Sequence, residues 1–201
     1  DSTIRFGKTF SVGALASYLL NLFGTVLYFD SLLSITQQYG LADMQIVHEQ
    51  GKTGMRTGWN LSLFGEPGTG KTTIIKEVLS KVKKSAGGFY TEEIRSQGMR
   101  QGFQIITLDG RSAILAHIGV RSPYRVSKYG VNTENIDKVA VPALKQAMQS
   151  KDIVVIDEIG KMELFSVSFK DAVIEALESK KRILGTIMLA SHPWADKIKE
   201  R

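Results

Sequence analysis

Eight consecutive residues, Gly65-Glu66-Pro67-Gly68-Thr69-Gly70-Lys71-Thr72, restrict this chain more than any other stretch. They satisfy G-x-x-x-x-G-K-[ST] at every fixed position, and their flanks suit the pattern. Asn60 to Phe64 reads as a short apolar strand, and Thr73 to Leu79 carries apolar residues at helical spacing. Strand, glycine turn and helix in that order make an anion site. The glycines let successive N–H groups curl around a polyphosphate, and the helix turns its positive N-terminal end toward the same charge. Gly65, Glu66, Pro67, Gly68, Thr69, Gly70, Lys71, Thr72 and Thr73 are therefore the candidate nucleotide-binding residues. Lys71 is expected to set a mobile point charge on the β- and γ-phosphates. The Thr72 hydroxyl is expected on Mg²⁺, a cation that takes oxygen ligands and keeps several waters.

A second stretch supplies the other half of such a site. Ile153-Val154-Val155-Ile156 is a continuous apolar run of the kind found in a central parallel strand. It delivers Asp157 and Glu158 to its C-terminal end, where open α/β sheets bind ligands. Asp157 reads as the metal carboxylate beside Thr72. Glu158 reads as the base that polarises an attacking water, with Glu163 the next candidate. Positive side chains between the two stretches, Arg95, Arg100, Arg121, Arg125 and Lys128, are candidates for a cation folded over the γ-phosphate.

Composition narrows the remaining chemistry. The chain has 201 residues and no cysteine, so disulfides, zinc-thiolate sites and cysteine nucleophiles are excluded. That absence suits a reducing compartment, and a cytoplasmic location is the expectation. His48, His117 and His192 are too widely spaced for a ligand cluster. The formal net charge is +6. In residues 1–58 Arg5, Lys8, Lys52 and Arg56 cancel Asp1, Asp30, Asp43 and Glu49, so the excess lies in the part that holds the glycine loop. Nucleotide binding accounts for it; a nucleic-acid surface is the alternative.

Thr9 to Phe29 is free of charge and long enough to be a membrane-span candidate. Asn21, the break at Phe23-Gly24-Thr25 and the β-branched and aromatic run Val26-Leu27-Tyr28-Phe29 argue instead for a buried helix, about 11–22, and a strand, 25–29. No membrane contact is expected. A weak helix follows at 31–39, and Met44 to Val47 fits a strand. Gly51 to Gly58 reads as a linker, which puts a boundary between an extension, 1–58, and a main domain, 59–201. Phe103 to Leu108 and Arg111 to Ile118 read as hairpin arms around Asp109-Gly110. Ile136 to Met148 is amphipathic and helical apart from Pro142, Phe165 to Ser179 is a further helix, and Arg182 to Ile187 is a last strand.

Longer blocks carry a family likeness. Gly65 to Thr73, Gly87-Gly88-Phe89-Tyr90-Thr91-Glu92-Glu93-Ile94-Arg95, Arg100-Gln101-Gly102-Phe103, Thr107-Leu108-Asp109-Gly110, Lys128-Tyr129-Gly130-Val131-Asn132 and Asp157-Glu158-Ile159-Gly160-Lys161-Met162-Glu163-Leu164 resemble the THEP1-type nucleoside-triphosphatase family. The resemblance runs from about residue 61 to 201, and members continue beyond the segment resembling Asp196 to Arg201. It implies a P-loop NTPase fold and Mg²⁺-dependent hydrolysis of several nucleoside triphosphates. It also implies the metal role for Asp157 and the water-activating role for Glu158. Arg100 and Lys128, which fall within family blocks, are the preferred catalytic cations. The fold expected is α/β, a mostly parallel sheet with helices on both faces and a β-hairpin insertion, plus an N-terminal α/β extension. A nucleotide or polynucleotide kinase and a nucleotide-gated nucleic-acid-binding module stand as alternative functions.

Overall fold

The computed structural model describes residues 45–50, 59–64 and 71–199. The readings at 9–39, the linker at 51–58 and the glycine-loop residues 65–70 lie outside the described residues. Two strands come first, β1 (Gln45–Gln50) and β2 (Trp59–Phe64), followed by the helix α1 (Lys71–Lys81). Five strands follow: β3 (Ala86–Ser96), β4 (Met99–Thr107), β5 (Ser112–His117), β6 (Arg125–Val126) and β7 (Tyr129–Val131). A helical stretch then runs through α2 (Thr133–Asn135), a π-helical turn (Ile136–Ala140) and α3 (Val141–Ser150). After β8 (Ile153–Ile159) come a 3-10 turn (Glu163–Phe165), α4 (Val167–Glu178), β9 (Arg182–Ile187) and α5 (Pro193–Lys199).

All described strands join one nine-stranded sheet in the order β1-β2-β9-β8-β3-β4-β5-β7-β6. This corrects the mostly parallel sheet expected from the sequence. Only β2–β9, β8–β9 and β3–β8 are parallel; the other five neighbouring pairs are antiparallel. The cause is connection length. A parallel pair needs a crossover of a dozen or more residues, whereas β3 to β4 turns at Gln97-Gly98, β4 to β5 at 108–111, and β6 to β7 at Ser127-Lys128. Chain reversals that short leave only antiparallel neighbours. The hairpin around Asp109-Gly110 forms as read, with Gly110 at φ +92°, yet it is no insertion. Its strands continue the sheet edge to edge.

The core gathers under the parallel part. Ile153, Val154, Val155 and Ile156 are all at most 1% exposed, as a strand covered on both faces requires. Phe89 of β3 meets Phe169 of α4 edge to face, with ring centres 6.0 Å apart. β3 and β8 approach closely because of one residue. Gly88 has φ +109°, and a Cβ there would stand 2.1 Å from the Val155 carbonyl oxygen. Pro142, awkward inside a helix because it lacks an N–H, sits in the first turn of α3 just after the π turn. Ser166 caps α4, its hydroxyl accepting from the Phe169 N–H at 2.9 Å. On α4, Phe169, Val173 and Ala176 are fully enclosed and Leu177 is half-buried.

Candidate active site

Three local features bring the site together. α1 begins at Lys71, so the last two residues of the glycine pattern form the helix's first turn. Near its C-terminal end β8 carries Asp157 and Glu158, beside α1 and β9. Within β8 the ladder to β9 slips: Ile156 pairs with Gly185 and Ile159 with Ile187, so two β8 residues oppose Thr186 alone. Such a bulge re-aims side chains. Here it leaves Asp157 buried, at 1% exposure, and Glu158 half-buried.

Asp157 is held at both oxygens. The Thr72 hydroxyl donates to Oδ2 at 2.6 Å, and the Thr186 hydroxyl donates to Oδ1 at 2.5 Å. Burial raises the Asp157 pKa, opposed by those two hydrogen bonds and by the Lys71 charge. Lys71 is itself 6% exposed and acts electrostatically on both Asp157 and Glu158. Burial also raises the Glu158 pKa; Lys71 opposes the shift and Asp157 adds to it.

A third carboxyl group completes the arrangement. Glu163, at 4% exposure, accepts the Gly160 N–H at 3.2 Å through Oε2. Glu158 borders the same glycine: a Cβ on Gly160 would lie 3.0 Å from Glu163 Oε2 and 3.4 Å from Glu158 Oε1. Burial, then the Glu158 and Asp157 charges, push Glu163 up to about 8 against the backbone hydrogen bonds. At neutral pH it therefore keeps its proton, and the turn holds one fewer negative charge than the sequence suggests.

The structure thus joins Lys71, Thr72, Asp157 and Glu158, with Thr73 half-buried one residue further along α1. Gly65, Glu66, Pro67, Gly68, Thr69 and Gly70 lie outside the described residues. Arg100 and Lys128 are placed elsewhere. Arg100 faces Arg95 in the β3–β4 ladder, six residues past Phe89, which pairs with Ile156. Its guanidinium donates to Glu93 at 2.5 Å and to the Tyr129 hydroxyl at 3.3 Å. Lys128 is exposed on the β6–β7 turn, its ammonium 5.5 Å from the Tyr129 ring centre. Thr186 was not foreseen. Its one signal is a hydroxyl within the apolar run Ile183-Leu184-Gly185-Thr186-Ile187, and that signal has meaning only once β9 is known to lie beside β8.

A hydroxyl and a carboxylate bridged at the root of a helix that follows a G-x-x-x-x-G-K-[ST] run, on a sheet with a parallel centre, define a phosphate-loop nucleotide-binding protein. Comparison with known proteins specifies the kind. A family model described as NTPase matches residues 60–201. The nucleoside-triphosphatase THEP1 of Thermotoga sp. (strain RQ2) is 51% identical over 139 residues, which are 69% of this chain and 79% of that protein. The crystal structure of THEP1 from the hyperthermophile Aquifex aeolicus superposes with a TM-score of 0.65 at 37% identity, covering 70% of this chain and 83% of the other. The solution structure of a human cancer-related nucleoside triphosphatase gives 0.58 at 40% identity, covering 69% and 82%. The chain belongs to the THEP1-type nucleoside-triphosphatase family, a family of enzymes. Among the described residues no helix is long and apolar enough to cross a membrane.

Proposed function

We propose that this chain hydrolyses nucleoside 5′-triphosphates, ATP and GTP among them, to the diphosphate and phosphate, with Mg²⁺ as cofactor. The observation that carries this reading is the 2.6 Å hydrogen bond from Thr72 to Asp157. It ties the start of the phosphate-facing helix to the carboxylate end of the central strand. The catalytic unit would lie in residues 59–201, with 1–58 as an N-terminal extension whose β1 adds a strand beside β2. A cysteine-free chain acting on nucleotides fits a cytoplasmic setting.

The donor set suits the metal. Among the described residues no cluster of three or more His, Cys, Asp or Glu side chains forms a protein-only cage. A hydroxyl and one carboxylate, leaving room for phosphate oxygens and water, is the mode Mg²⁺ uses. Thr72 and Asp157 would hold it, and when bound it would neutralise charge on the β- and γ-oxygens. Thr186 fixes the rotamer of Asp157 through the second oxygen. Residues 65–73 would cradle the phosphates, with the Lys71 charge acting on both carboxylates. Glu158, its pKa raised by burial, would take a proton from water aligned on the γ-phosphate. Glu163, neutral beside it, would spare the incoming phosphate a third negative charge. Arg100 and Lys128 would each have to leave their present neighbours, Glu93 and the Tyr129 ring, to reach the nucleotide.

Phosphate release from ATP or GTP by purified wild type and Glu158→Gln tests this. Gln keeps the size of Glu but is a far poorer proton acceptor, so the rate should fall by about 10²–10⁴ with nucleotide affinity nearly unchanged. Full hydrolysis by the variant would move the base elsewhere. Affinity falling together with rate would make Glu158 a structural or metal residue.

A further inference from the structure

Among the described residues, two large aromatic rings that the hydrolytic site does not use face solvent together. Tyr124, on the loop between β5 and β6, is 43% exposed, and Phe165, which ends the 3-10 turn begun by Glu163, is 36% exposed. The rings pack on each other with centres 5.1 Å apart at 36°. Both sit on anchored backbone. The Val131 N–H donates to the Tyr124 carbonyl at 2.8 Å, Leu164 N–H to Gly160 oxygen at 3.1 Å, and Ser166 N–H to Glu163 oxygen at 3.0 Å. The turn that carries Phe165 is therefore the one that carries Glu163 beside Glu158.

Charge around the pair is one-sided. Arg121, Arg125 and Lys128 are exposed on the Tyr124 side, and Lys161 is exposed at the start of the Phe165 turn. Residues 112–133 include three cations, Arg121, Arg125 and Lys128, and no carboxylate, while Arg111 is paired with Asp109. Asp137 borders the face through a hydrogen bond from the Ser166 hydroxyl. Stacked rings with flanking cations match a polyanion whose units have flat π-faces, because every base can stack and every phosphate can meet a cation.

We propose that this face binds single-stranded nucleic acid, with bases stacked on Tyr124 and Phe165 and phosphates running along Arg121, Arg125, Lys128 and Lys161. The choice of a strand over the substrate's own base rests on the hydrolytic reading above. A triphosphate with its γ-phosphate at Glu158 carries its base at the far end, away from the Glu163 turn. The bound strand would then lie next to the γ-phosphate side of the site.

The test is fluorescence anisotropy of a labelled oligothymidylate of about 20 nucleotides with the full chain, in EDTA and without nucleotide. Saturable binding is expected at low salt. Tyr124→Ala and Phe165→Ala should each weaken it by about five- to a hundredfold, whereas Tyr124→Phe, which keeps the ring, should bind like wild type. Arg121→Gln combined with Arg125→Gln should reduce the slope of log affinity against log salt by about 1.4. Both alanine variants should release phosphate from ATP at the wild-type rate, which also shows that they fold. No saturable binding at low salt would overturn the proposal. So would alanine variants that bind as wild type, which would leave only diffuse charge attraction. A rise in KM for ATP in the alanine variants would overturn it too, by assigning the rings to the substrate base. Binding is read without turnover, so a chain that holds the oligonucleotide but hydrolyses nothing would refute the hydrolytic reading alone.

Discussion

Replacing Glu163 by Gln should stabilise this protein relative to wild type by an amount that grows as pH rises. In the native structure burial holds the Glu163 pKa near 8, while its ordinary value is 4.5. Between those two pH values the unfolded chain has lost the proton and the folded chain keeps it. Stability contributed by the group is thus complete below about pH 4.5 and is lost as pH rises toward 8. One unit of pKa difference corresponds to about 1.4 kcal/mol, so the window from 4.5 to 8 amounts to about 5 kcal/mol. Gln does not titrate, and its amide oxygen can still accept the Gly160 N–H. Whatever fixed cost the amide brings is the same at every pH, so the slope is the readout. Urea unfolding of wild type and Glu163→Gln, in EDTA and without nucleotide, at several values between pH 5 and 8, gives the comparison. The stability difference should move in favour of Gln by roughly 1.4 kcal/mol per pH unit, whatever the fixed offset between the two proteins. Asp157 and Glu158, also raised, add to the slope of both proteins. Parallel pH curves for the two proteins would show that Glu163 is ionised when folded, and the neutral-partner reasoning would fail.

Three further perturbations address the site and its frame. Lys71→Ala should weaken triphosphate binding and nearly abolish phosphate release; unchanged affinity and rate, by calorimetry and phosphate assay, would remove the phosphate role. Thr186→Val strips one hydrogen bond from a buried carboxylate and should cost about 1.5–3 kcal/mol in urea unfolding at neutral pH. An unchanged unfolding midpoint would mean that Thr72 alone holds Asp157. Gly88→Ala puts a methyl 2.1 Å from the Val155 carbonyl oxygen at a positive φ, and should destabilise by more than about 3 kcal/mol. A loss under about 1 kcal/mol would contradict the close β3–β8 contact.

Much of the site was legible because its signals are local. The Lys71-Thr72 pair follows from the glycine spacing, and the run Ile153 to Ile156 announces a strand that ends in carboxylates. Asp109-Gly110 marked its hairpin, and Arg182 to Ile187 was bounded correctly, since turn chemistry and apolar runs act over a few residues. What the sequence could not determine was which strands become neighbours. β3 runs parallel to β8 on one side and antiparallel to β4 on the other, and its own residues do not mark that difference. The direction is imposed by connections and by hydrogen bonds to partners many residues away. The same holds for function. Thr186 meets Asp157 only because β9 lies beside β8, and Arg100 meets Glu93 and Tyr129 only because β4 folds back on β3 and β7 closes beyond β5. The sequence by itself names the residues able to do the chemistry. Tertiary packing decides which are buried, which are paired, and therefore which are charged.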